Sequence, residues 1–98
     1  MTLETIKNYL RIDEDITEDD SLLESLKEAS INYIESTTGK TFLAENSLFK
    51  TLMLLLIHHW YSNRNITYKS SAVEEFPHSI NALVHTIKHN DKFKVLDL

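Results

Sequence analysis

Two residues punctuate this chain and constrain its fold more than anything else in it. Among 98 residues there is one glycine, Gly39, and one proline, Pro77. Sheet-rich folds draw on both residue types at most turns, so their scarcity points to helices. Gly39 directly follows an amphipathic run and reads as the left-handed residue that ends a helix. Pro77 suits the first position of another, where its missing N–H goes unnoticed. The expected fold is all-α: a compact bundle of about four helices. It forms one domain over residues 1–98, with a helical body over 1–90 and a C-terminal arm over 91–98.

Apolar spacing places the helices between these marks. Thr2 caps a short first helix with Leu3, Ile6 and Leu10 on one face, ending near Arg11 or Ile12. Asp13, Glu14, Asp15, Glu18, Asp19 and Asp20 follow, too dense in like charge for a helix, and read as a loop. A second helix begins near Asp20 or Ser21, with Asp20 as its N-cap. Its stripe is Leu22, Leu26, Ala29 and Tyr33, widened by Leu23 and Ile34. After a connector over 40–45, a third helix starts at Asn46 or Ser47 and runs to about Asn63 or Arg64. Its middle, residues 52–57, is apolar all round, so it sits at the centre of the fold or is covered by a neighbouring subunit as well. A polar loop over 65–76 is long enough to suggest a function. Ile80, Leu83, Val84 and Ile87 mark the fourth helix. The tail alternates charged and apolar residues, as a short strand or an arm that orders on a partner does.

Composition excludes several kinds of chemistry. With no cysteine there is no disulfide, thiolate metal site or cysteine nucleophile. The net charge of -5 and pI near 5.4 disfavour a dedicated nucleic-acid binder. The longest apolar run is far short of the ~20 residues of a membrane span, and Met1 to Asn8 lacks the apolar core of a signal peptide. A soluble cytosolic product is the default expectation. A single glycine rules out a glycine-rich phosphate loop, and no Gly-x-Ser-x-Gly turn is present. Asp13, Asp15, Thr17 and Glu24 fall on a calcium-loop template, but its obligatory glycine position is Glu18, so the stretch reads as a solvated turn. His85 and His89, one helical turn apart, lack a third ligand nearby and read as surface histidines that favour a helix C-terminus. His59 shares a stripe with Leu48, Leu52 and Leu55, as a buried, hydrogen-bonded histidine would. No catalytic, cofactor or metal residue is expected, and no predicted helix clusters Arg and Lys for reading DNA.

Two stretches are more specific. The first is Leu3-Glu4-Thr5-Ile6-Lys7-Asn8-Tyr9-Leu10-Arg11-Ile12-Asp13, then an acidic gap, Leu22-Leu23, Ala29, Tyr33-Ile34-Glu35 and Thr38-Gly39-Lys40. The second is Leu54-Leu55-Leu56-Ile57-His58-His59-Trp60-Tyr61-Ser62-Asn63-Arg64, then a polar loop and Pro77 with Ile80 and Leu83. Their order resembles the small head–tail connector proteins of tailed bacteriophages, an adaptor family also described as DNA-packaging or head-completion proteins. The resemblance implies a non-enzymatic, all-α subunit of the virion neck, assembled in the host cytoplasm. It implies a ring of about a dozen copies under the portal protein, docked to a stopper or tail-completion protein, with DNA passing through and not bound by sequence. Leu10, Leu23, Ala29, Tyr33, Leu52, Leu55 and Trp60 are the expected core. Arg11, Arg64, Tyr68, Lys69, Phe93, Val95 and Leu96 are the expected subunit or partner contacts, with Arg11 also within reach of a carboxylate of the second helix. Residues 1–39 carry a net charge of -7 and residues 40–98 a net of +2. Alone this asymmetry is no more than a solvated surface; in a ring it suits head-to-tail contact. The alternative function is a small acidic helical module that binds and sequesters a host protein.

Overall fold

The computed structural model describes residues 2–63 and 77–95. They form four helices: α1 (Leu3–Leu10), α2 (Asp20–Thr38), α3 (Ser47–Ser62) and α4 (His78–Lys88). The all-α expectation holds. Among the described residues the only β pairing is an isolated antiparallel bridge between Lys40 and Val95. α3 packs most extensively on α2 and also meets α4 and α1. The body measures 40 × 32 × 24 Å.

Local chemistry accounts for the ends of these helices. The Thr2 hydroxyl accepts from the Thr5 N–H, capping α1. At the other end of α1, Ile12 N–H donates to Lys7 O and Arg11 N–H to Asn8 O. This is a Schellman turn, and Arg11 occupies its left-handed position at φ 62°. Gly39 takes the left-handed position at the end of α2 at φ 70°, in the simpler turn closed by a single bond from its N–H to Glu35 O. Asn46 caps α3 by accepting from the Leu48 and Phe49 N–H groups. Pro77 lies one residue earlier than expected. It precedes α4 rather than opening it, and its carbonyl accepts from Ile80 and Asn81.

The N-terminus of α2 corrects one expectation. Asp19, not Asp20, is the N-cap residue, and its side chain makes no cap bond. Its carboxylate is turned outward to accept from the Tyr61 hydroxyl at 2.5 Å, tying the start of α2 to the end of α3. Asp20 is the first helical residue and pairs with Lys7.

The core consists of Ile6, Leu23, Ile34, Phe49, Leu52, Met53, Leu56, Ile57, Ile80 and Ile87, with Phe93 joining from the tail. Ala29, an expected core residue, is exposed. The buried stripe of α2 is centred on Leu23, Ser30 and Ile34, which rotates Ala29 out and Ser30 in. Ser30 is tolerated there because its hydroxyl donates to Lys27 O at 2.7 Å. Leu10, Tyr33, Leu55 and Trp60 are partly buried and pack on the core, while Leu23 and Leu52 are fully buried.

The all-round apolar stretch of α3 is covered largely from within. Leu52, Met53, Leu56 and Ile57 are 0% exposed, and Leu54 and Leu55 are partly buried against the same cluster. A surrounding of α1, α2 and α4 is enough to explain its composition, so a neighbouring subunit is not required to cover it.

Candidate functional site

Among the described residues, what the molecule offers to a partner lies on its two ends. At the first end, α1 and the acidic turn are locked by Lys7. This lysine is 5% exposed. Its ammonium donates to Ile16 O at 2.7 Å and Glu14 O at 3.4 Å and lies 2.6 Å from Asp20 Oδ1. Asp20 Oδ1 is itself buried, and the ion pair is what meets it there. A buried ammonium needs acceptors on every side, and here the turn between α1 and α2 supplies them. Sequence reasoning missed Lys7 and assigned the link to α2 to Arg11. Arg11 is instead exposed at the end of α1, and the ion pair to α2 is made by Lys7. The signal was a lone lysine among Leu3, Ile6 and Leu10, facing six carboxylates downstream in the sequence.

The turn that Lys7 holds carries Asp13, Glu14, Asp15 and Ile16 outward, all exposed. Glu14 shares a hydrogen bond with Glu4, and that bond, reinforced by the repulsion of the Glu4 charge, pushes its carboxyl above the usual range; the Lys7 charge opposes this. A cavity of about 140 Å³ beside Leu3, Glu4, Lys7 and Glu14 is below the ~300–1,000 Å³ of small-molecule sites. A wider trough runs along Asn8, Ile12, Asp13, Glu14 and Asp15. Among the described residues no group of three or more His, Asp or Glu could hold a metal ion.

The second end is built where α2 stops. The Gly39 turn delivers Lys40 to its bridge with Val95, and Thr41 N–H donates to Lys94 O at 2.8 Å. Phe93 anchors the tail. It is 9% exposed and meets Phe49 edge-on at 4.9 Å between ring centroids. This ring, expected at a subunit contact, thus belongs to its own chain's core. Val95, two residues on, is 64% exposed. Arg64, Tyr68, Lys69 and Leu96, like the loop over 65–76, lie outside the described residues.

The last turns of α3 join these ends to the middle. His58 meets Tyr9 of α1 edge-on at 6.0 Å. Trp60 meets Tyr33 of α2 at 6.0 Å and 88°, and Tyr61 bonds Asp19. His59 is half-buried. The His-His-Trp-Tyr run is therefore a packing device that fixes α1 and α2 against α3. His85 and His89 are exposed with rings 4.4 Å apart, on the side of α4 away from Ile80 and Ile87.

This arrangement is a rigid helical body with two well-anchored, chemically different ends, suited to contact with other proteins. A family profile described as phage gp6-like head-tail connector protein matches residues 1–89. The chain belongs to that family. Comparison with curated proteins and comparison with solved structures both return no match. The connector is accordingly a component of the phage virion with a structural role at the neck, where it interacts with other head and tail proteins. The matched span covers all four helices of the connector and ends just past α4. No helix among its described residues is long and apolar enough to cross a membrane.

Proposed function

We propose that this connector is a structural adaptor that forms a ring of about a dozen copies beneath the portal. The ring extends the DNA channel and docks a stopper or tail-completion protein on its far rim. Family membership over residues 1–89 carries this reading. It is supported by a core closed within one chain, which leaves the exposed ends for neighbours. Of the proposed contact residues, Arg11 and Val95 are exposed on the two ends, Phe93 holds Val95 in place, and Arg64, Tyr68, Lys69 and Leu96 complete the set.

The test is genetic and structural. Phage lacking this gene should fill heads with DNA but fail to join tails, and supplying the chain in trans should restore infectious particles. Cryo-electron microscopy of wild-type necks should show the chain as a ring below the portal. Normal tailed particles without the chain would overturn the adaptor role.

A further inference from the structure

α2 separates two ends of opposite charge. Its 19 residues span ~28 Å at 1.5 Å per residue. The acidic turn lies at its N-terminus, and the bridge between Lys40 and Val95 lies at its C-terminus. The acidic end exposes Asp13 and Asp15 around Ile16, which is 47% exposed. The basic end exposes Lys92 and Lys94 beside Val95. Among the described residues none of these four charged groups is engaged in an ion pair. Each end thus sets one exposed aliphatic side chain among exposed charges of one prevailing sign: carboxylates outnumber Arg11 around Ile16, and Lys92 and Lys94 outnumber Asp91 beside Val95.

Both ends are also held in shape. Lys7 fixes the acidic turn through Ile16 O, and Phe93 with the Lys40–Val95 bridge fixes the basic one. Surfaces ordered beforehand lose less entropy on binding. A small apolar contact rimmed by complementary charge is the usual anatomy of a specific interface. Two different patches at opposite ends of one chain give a heterologous contact, which closes into a ring when the rotation per subunit permits.

We propose that the acidic turn around Ile16 of one copy docks on the basic end around Val95 of the next. This rests on the adaptor reading and names the surfaces that join its subunits. The test uses the full-length protein in sedimentation and light scattering at low salt, up to millimolar concentration. Wild type should self-associate, and K92E/K94E and D13K/D15K should each weaken association at least about tenfold. The chain carrying all four reversals should associate again, and an equimolar mixture of the two double variants should co-assemble. Ile16→Ser should weaken association about fivefold with charge unchanged. Circular dichroism and thermal melting check that each variant is folded. A wild-type chain that stays monomeric throughout overturns the proposal, as do reversals without effect or four reversals without recovery. If the reversals have no effect but virion necks still contain the chain, only these surfaces are wrong. If necks lack the chain, the adaptor reading fails.

Discussion

Two residues with positive φ close the first two helices, and the chain treats them differently. Gly39 adopts the left-handed conformation at little cost, whereas Arg11 pays for its Cβ there. A Cβ at Gly39 would meet nothing within 4 Å, so Gly39→Ala should cost about 1 kcal/mol from backbone strain alone. Arg11→Gly should do the reverse and raise stability by about 0.5–1 kcal/mol in urea unfolding. If Arg11 contacts a neighbouring protein, the same variant should assemble less well while unfolding later. Lys7 is the other decisive residue. Lys7→Met keeps the stem but strands Asp20 Oδ1 and two carbonyls, and with Asp20 one-third exposed the expected cost is about 2 kcal/mol. Glu14 gives a pH signature. Its carboxyl titrates above the usual range in the fold, so the native state binds more protons than the unfolded chain between the ordinary carboxylate pKa and that raised value, and stability falls as pH rises through this window. Glu14→Gln removes the repulsion with Glu4. The variant should melt higher than wild type at neutral pH and at the same temperature once both acids are protonated; an equal difference at both pH values would refute the pairing.

At the scale of elements, the tail is the part whose role changed most between sequence and structure. Alternating Lys92, Phe93, Lys94 and Val95 permits a free arm, but Phe93 closes the core against Phe49, whose ring also meets Phe42. Phe93→Ala should therefore destabilise the whole chain by about 3 kcal/mol. An arm that orders only on a partner would leave the unfolding midpoint of the free protein unchanged. The helices themselves were legible: Thr2, Asn46 and Gly39 mark ends with local chemistry, and those ends lie where the pattern placed them. The rotation of α2 was not legible. Ala29 outscores Ser30 on hydrophobicity, yet Ser30 can face the core once its hydroxyl bonds the backbone one turn back. Nor was the Asp19 link to Tyr61 legible, because it joins residues 42 apart in sequence. The candidate surfaces were half legible. Their charge was visible in the composition of the two halves, but what anchors them, Lys7 and Phe93, appears only once distant segments are brought together.

For the whole molecule, charge decides how a ring of such subunits would treat DNA. A duplex binds proteins mainly by exchanging condensed counterions for Lys and Arg, and the gain grows with each phosphate contacted. This chain carries ten Lys and Arg against fifteen Asp and Glu. Lys7 is buried under the acidic turn and Lys40 is 7% exposed at its bridge, so neither is free to meet a phosphate. If Lys92 and Lys94 are covered by the acidic turn of the next copy, assembly removes two more cations from solvent. A conduit built this way attracts DNA weakly and lets it slide. Filter binding with a short duplex should accordingly show no retention near physiological salt at concentrations up to ~10 µM, where even non-specific binders of the basic kind reach only ~1–100 µM affinity. Opening the subunit contact with D13K/D15K should raise affinity for DNA at low salt, because it adds four units of positive charge and uncovers the lysines together. If wild type instead held DNA tightly with a steep salt dependence, the channel wall would have to be cationic, and the loop over 65–76 with Arg64 and Lys69 would be the first place to reverse charge.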